Sequence, residues 1–347
     1  MRLERRTHTP LSLVVLAPVA AIGAALILAA GLVAAAGVNP LAAYAEMLRG
    51  ALGSRLAITE MLTRATPLIL TGLAAAIAFR ARLWNIGAEG QFYMGALATA
   101  ALGHSLGLPG WLGVPLLMLT GMVAGALLLA GPAYLRLRFE VDEVVTTLLL
   151  NFVAILFVGL MIEGPLRDPL AFGWPTSVPV DAAYRLSDLV PRTRLHIGLL
   201  FAVAAAAIVW LILDRTVFGA ETRAAGLNAR AAAFAGVSLP RTIMGVALLS
   251  GALAGLAGAV EVMGVTAGVT TTMSPGFGYA GIVAAMLAAL NPAGVVVSAV
   301  FIATIFVGAD AMGRATGVPS FIADVIVSLC LLTMLVALLF TSYRVRR

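Results

Sequence analysis

Residues 221–240 read Glu-Thr-Arg-Ala-Ala-Gly-Leu-Asn-Ala-Arg-Ala-Ala-Ala-Phe-Ala-Gly-Val-Ser-Leu-Pro. This is the longest helix-competent, only mildly apolar run between two segments greasy enough to cross a bilayer. Arg215, Arg223, Arg230 and Arg241 lie in and around it, and clustered arginines between spans place a loop in the cytoplasm. Ala224, Ala225, Ala229, Ala231, Ala232, Ala233 and Ala235 favour a helix, which Gly226 and Gly236 punctuate. The stretch therefore predicts a small, alanine-surfaced cytoplasmic helix, over which another protein can approach closely. An ordinary connecting loop would share this spacing, so the rest of the chain decides between the two.

Working outward, the solvent for most of the chain is lipid. Of 347 residues, 61% are hydrophobic and only 11% charged, with a mean hydropathy of +1.04; soluble domains carry about 25% charge. The net charge of +6 comes from 22 basic residues, all arginine. They flank apolar segments rather than forming a stripe, which fits membrane anchoring and not nucleic-acid binding. One cysteine, Cys330, sits in an apolar run, so neither an internal disulfide nor a multi-cysteine metal site can form.

The apolar stretch from about Leu11 to Ala36 is long enough to span and to remain as an anchor. Arg2, Arg5 and Arg6 precede it, which places the N-terminus inside. A short external helix is expected within 37–56, and a second span over 58–79 with a kink at Pro67. A short third segment follows, with polar residues 83–91 crowding its start. Further spans are expected over 111–132, 143–162, 196–213 and 242–262. The last carries small-xxx-small pairs Gly251/Gly255 and Ala254/Gly258, the pattern of close helix packing in lipid. Residues 264–290 read as a broken inward crossing that stops at Asn291-Pro292, and spans at 293–309 and 320–341 complete the set. The fold class is an all-α polytopic membrane protein of about ten transmembrane or re-entrant segments, with both termini cytoplasmic. It forms one transmembrane domain over 1–347, with a cytoplasmic N-terminus at 1–10, an external loop at 163–195, a cytoplasmic loop at 214–241 and a cytoplasmic tail at 342–347. Residues 84–103 and 276–309 echo one another, each passing from Gly-rich polar sequence into an Ala-rich apolar run. Broken segments in two halves point to a transport pathway.

Enzyme signatures are mostly missing: there is no P-loop and no H-E-x-x-H. His8, His104 and His196 are too scattered for a shared metal site. The intramembrane polar residues are Asn85, Glu89, Gln91, Glu143, Thr146, Thr147, Asn151, Glu261, Asn291 and Asp324. Polar groups at such depth are costly and face a bundle interior or a cavity. Amides and hydroxyls outnumber carboxylates, which suits an uncharged polar solute; helix–helix hydrogen bonds are the plainer reading of each. Phe277 and Tyr279, set among glycines, can stack on a planar ligand or anchor an interface. The candidate pathway set is Asn85, Glu89, Gln91, Glu143, Thr147, Asn151, Phe277 and Tyr279.

Asn85-Ile-Gly-Ala-Glu-Gly-Gln91, followed by a Gly-Ala apolar run, resembles the signature of permease subunits of bacterial ABC importers in the branched-chain amino acid/ribose superfamily. Within it, the nucleoside and simple-sugar branch is the nearest match. Glu143-Val-Val-Thr-Thr-Leu-Leu-Leu-Asn151 is similar to that branch. Arg223 through Val237 resembles the cytoplasmic coupling helix that inserts into a cleft of an ATPase subunit, with Glu221, Arg223, Gly226, Asn228, Ala232 and Gly236 as the coupling residues. Ser250 to Gly258 and, more loosely, Gly278-Tyr-Ala-Gly281 fit the same setting. The resemblance covers roughly 60–340 and implies a transport subunit without catalysis or cofactor of its own, in the bacterial inner membrane. ATP and Mg would bind a partner ATPase. A second permease chain, identical or paralogous, and an external solute-binding protein or lipoprotein would complete the assembly. A nucleoside is the expected solute, with a simple sugar as the alternative. A gradient-driven carrier using Glu89, Glu143, Glu261 or Asp324, or a channel, stands as the rival class.

Overall fold

The computed structural model describes residues 2–5, 11–319 and 321–346. Thirteen helices are described: α1 Leu11–Ala35, α2 Pro40–Leu52, α3 Arg55–Arg80, α4 Ala88–Gly103, α5 Gly110–Phe139, α6 Glu143–Glu163, α7 Gly198–Arg215, α8 Val217–Leu227, α9 Ala229–Phe234, α10 Leu239–Glu261, α11 Phe277–Leu287, α12 Pro292–Thr316 and α13 Ile322–Ser342. Seven of them are long and apolar enough to cross a membrane. The short segments Arg2–Arg5 and Tyr343–Arg346 pair antiparallel, which brings the two ends of the chain together. Arg6 and Arg347, two of the arginines expected to set the orientation of those ends, lie outside the described residues.

Helix starts follow local chemistry. Asn39, Ser54, Asp142, Thr216, Asn228 and Asn291 each accept a first-turn N–H through the side chain, satisfying donors that a helix leaves open. Pro40 and Pro292 occupy first-turn positions, where no N–H is missed. α3 runs unbroken through Pro67. A short helix, expected within 37–56, is formed by α2.

α3, α10 and α4 are buried on nearly every side, whereas α5, α6 and α7 turn one apolar flank outward. At the centre, α10 meets α5 and α4 backbone to backbone. A Cβ added at Gly255 would collide with the Gly121 carbonyl, one at Gly125 with the Gly251 carbonyl, and one at Gly258 with the Phe92 carbonyl. The Gly251/Gly255 pair of the sequence is thus matched by Gly121/Gly125 on the facing helix. Lipid tails are as apolar as leucine, so close van der Waals contact drives such association.

Two layers of ion pairs mark opposite ends of the bundle. Arg80 and Arg223 approach Asp214 at 3.3 and 3.6 Å, and Arg136 approaches Glu143 at 2.6 Å. At the other end Arg64 pairs with Asp310 at 2.8 Å and Glu60 at 3.5 Å, while Arg194 reaches Glu60 at 3.6 Å. Residues 164–197 cover this second end. They pair with the irregular stretch that follows α10, Val180 N–H donating to Ala267 C=O at 2.7 Å and Ser177 N–H to Val269 C=O at 3.0 Å. That stretch and the short helix α11 occupy the segment read from the sequence as a broken crossing over 264–290. Its non-helical half is tolerated at depth because protein, not lipid, satisfies its backbone.

His196 locks this cover down. It is 1% exposed, its Nδ1 accepts the Gly198 N–H at 3.1 Å, and its Nε2 packs on Gly264 without a hydrogen-bond partner among the described residues. Burial pushes the imidazole down to about 4 from 6.5, Asp188 acting upward and Arg194 downward. The fold therefore holds the neutral ring.

Two outcomes are expected. Gly255→Val should cost more than about 3 kcal/mol, the upper range for overpacking, and abolish a monodisperse peak in mild detergent. Gly131→Ala, where nothing stands within 4 Å, should leave the elution profile intact. Because the unfolded His196 gains its proton near 6.5 and the folded one only near 4, its contribution to stability is full above pH 6.5. It is lost as pH falls toward 4, so the Tm of wild-type protein should drop over that window more steeply than that of His196→Gln.

Candidate functional site

Glu143, Thr147 and Asn151 recur every four residues on α6, so they form one stripe down the helix. All three are buried, while Val145, Leu149, Phe152 and Val153 beside them face outward. The stripe grips the break before α4. Glu143 accepts the Trp84 N–H at 3.2 Å, and Thr147 Oγ1 accepts the Ile86 N–H at 3.3 Å. Asn151 accepts the Gly90 N–H and donates to Ile86 C=O, both at 2.8 Å, and donates to the Tyr279 hydroxyl at 3.1 Å. The backbone of 84–90, left without helical partners, is paid for by these side chains.

From the other side the same segment closes on itself. Asn85 and Gln91 exchange two amide hydrogen bonds at 2.8 and 2.9 Å. Asn85 also donates to Ser250 Oγ at 3.0 Å, and the Ser250 hydroxyl donates to Ala74 C=O at 2.7 Å. One chain of polar groups thereby joins α3, α4 and α10 at a place where no water competes.

The two segments that echo one another in sequence touch in space. Glu89, in the first turn of α4, accepts the Gly278 N–H of the first turn of α11 at 2.6 Å. Two helix N-termini, each with partial positive charge, thus meet on one carboxylate. Ser274 Oγ completes the α11 start, accepting from Gly276 and Phe277 at 3.1 and 2.9 Å. A Cβ at Gly278 would strike the Glu89 backbone, so the contact admits only glycine.

The structure therefore gathers Asn85, Glu89, Gln91, Glu143, Thr147 and Asn151 into one buried clasp whose partners are protein groups. Tyr279 touches the clasp through Asn151, and Phe277 and Tyr279 line different cavities that both border Pro275. Phe277 lines a cavity of about 230 Å³ with Glu60, Thr63, Arg64, Arg194 and Glu261. Tyr279 lines a second, of about 320 Å³, with Phe306, Asp324 and Ser328. Glu60 and Arg64, four residues apart on α3, carried a helical ion-pair spacing; Arg194 and Asp310 reach them only through the fold. Among the described residues no group of three or more metal-ligating side chains occurs.

At the other end, the single helix expected over 221–240 is two, α8 and α9. Asn228 divides them: its backbone is extended and its side chain accepts the Ala231 N–H at 3.1 Å. Gly226 is buried, and a Cβ there would collide with Arg80 C=O. Ala232 is buried too. Glu221 accepts from Thr242 Oγ1 at 3.3 Å and Arg223 faces Asp214. Gly236 turns the chain at φ +90 with nothing close to it. The exposed surface of this pair carries Val217 and Leu227, each 75% exposed, and Phe234, 97% exposed, among exposed Ala229, Ala231 and Ala233.

Residues 57–341 match the family described as the permease component of the branched-chain amino acid transport system. The chain belongs to that family. It is 35% identical to the glucose ABC transporter permease protein TsgB13 of Haloferax volcanii, the match covering 99% of this chain and 93% of that protein. It is 34% identical to the guanosine ABC transporter permease protein NupP of Bacillus subtilis, over 95% and 93%. To the nucleoside ABC transporter permease protein NupB of Lactococcus lactis it is 33% identical, over 90% and 88%.

The chain is thus a multi-pass ABC permease, a transport subunit whose ATP hydrolysis belongs to a separate subunit. In this permease the clasp joins the helix break to the bundle centre, so a change there is felt in the fold first. Asn151→Leu leaves the Gly90 N–H and Ile86 C=O buried and unpaired, and should lower stability by roughly 2–4 kcal/mol. Thermal unfolding of the purified permease checks this; an unchanged Tm would mean that water replaces the amide.

Proposed function

We propose that this permease is the membrane-spanning part of an importer for nucleosides. The observation that carries the reading is end-to-end similarity to permeases named for guanosine and for nucleosides. The specific rival is a sugar, favoured by equal similarity to a glucose permease. Phe277 and Tyr279, each on a cavity beside Pro275, suit a planar base.

The arginine distribution supports a bacterial inner-membrane orientation with α8, α9 and both termini in the cytoplasm, and about ten membrane segments once α4, α11 and α13 are counted. ATP and Mg bind the partner ATPase, two permease chains form the path, and an external binding protein docks on 164–197, where Leu170, Phe172 and Trp174 stand exposed. Leu227 and Phe234 are the anchors for the ATPase. Gly226 and Ala232, expected from the sequence to contact it, support α8 and α9 from beneath.

Proteoliposomes holding the assembled permease, ATPase and binding protein, given labelled guanosine with and without excess glucose, separate the two solutes. Guanosine accumulation that needs ATP and resists glucose is expected; glucose uptake alone would move the assignment to sugars. Phe234→Asp should reduce ATPase recovery in a pull-down at least about tenfold, as loss of an aromatic anchor does, with the permease itself eluting normally. Gly226→Arg should instead fail at the level of the permease.

A further inference from the structure

The cavity lined by Phe277 holds a carboxylate with nothing to do for the fold. Glu261 is 6% exposed and lines that space, yet its side chain enters no hydrogen bond or ion pair among the described residues. The neighbouring charges are already matched. Arg64 is held by Glu60 and Asp310, and Arg194 by Glu60. A buried carboxylate without a partner is costly, and α10 carries this one to the place where the broken crossing begins.

The rest of the lining says what it would meet. Thr63, Thr266 and Thr272 offer hydroxyls, and Val265, Met273, Pro275 and Phe277 supply an apolar wall. With both arginines neutralised, an anionic solute gains little here. A neutral solute with a flat or apolar face and adjacent hydroxyl donors fits. A carboxyl group meets two hydroxyls at once through its two oxygens. Glucose and ribonucleosides share that feature, a pair of neighbouring hydroxyls.

We infer that Glu261 is a solute-contacting residue of the permease, accepting the vicinal diol of a sugar or of a nucleoside ribose, with Phe277 against the ring. The assignment of the diol to ribose rests on the nucleoside reading above; the contact itself does not.

The test compares guanosine with 2′,3′-dideoxyguanosine, and glucose separately, in the reconstituted assembly of permease, ATPase and binding protein. Wild type should prefer guanosine, and Glu261→Gln should cut that preference about tenfold through KM, leaving the dideoxy substrate and ATPase co-purification unchanged. An unaltered preference in an assembled Glu261→Gln permease overturns the contact. If wild type carries glucose and not guanosine, the nucleoside reading falls alone. The contact then stands if Glu261→Gln raises the KM for glucose by the same factor, and falls if it does not. Should Glu261→Gln fail to assemble, wild type answers directly: carbodiimide labelling of Glu261, read by mass spectrometry, should be blocked by whichever natural solute is carried and not by dideoxyguanosine. Labelling indifferent to that solute would overturn the proposal.

Discussion

Everything in this permease depends on how closely α10 approaches α5 and α4. Glycine faces glycine along that seam, Gly251 and Gly255 against Gly121 and Gly125, and Gly258 against the backbone at Phe92. Helices brought so near bury backbone against backbone, which substitutes for a hydrophobic driving force that lipid does not provide. The seam also sets Ser250 and Glu261 in position, because both ride on the same helix. One reaches inward to Asn85; the other opens on the cavity by Phe277.

With the centre fixed, the broken elements have somewhere to break. A chain at membrane depth cannot leave N–H and C=O groups unpaired. Residues 84–90 meet that demand through the α6 stripe of Glu143, Thr147 and Asn151. The stretch between α10 and α11 meets it through Ser177, Tyr93 and Ser274. Both breaks end at Glu89, where two helix starts share one carboxylate. The clasp is therefore a structural hub that reaches a cavity through Tyr279.

The two ends of the bundle are built differently. One is covered by a long loop tied down by backbone pairing and by a neutral, buried His196. The other presents α8 and α9, whose Ala225, Gly226 and Ala232 are packed beneath and whose Leu227 and Phe234 stand clear among exposed alanines. Gly226 packs against the Arg80 carbonyl, which ties α8 to the end of α3.

Much was legible in the sequence because membranes impose simple rules. Apolar length marked the long helices, Asn291-Pro292 marked the boundary between α11 and α12, and Gly251/Gly255 marked a close-packed face whose partner lies on α5. The motif Asn85–Gln91 and the coupling stretch identified the family. What the chain order could not carry was pairing across it. Polar residues of a span look alike in sequence whether they hold a neighbour or face a solute. Only the fold separates Asn85 and Asn151, satisfied by protein, from Glu261, which is not. Likewise an alanine-rich stretch does not disclose which face is covered: Gly226 is packed against α3 and Ala232 is buried, whereas Ala229, Ala231 and Ala233 are exposed. The physical reason is the same in both cases. Local sequence determines which groups need a partner, and tertiary packing decides which partner each one meets.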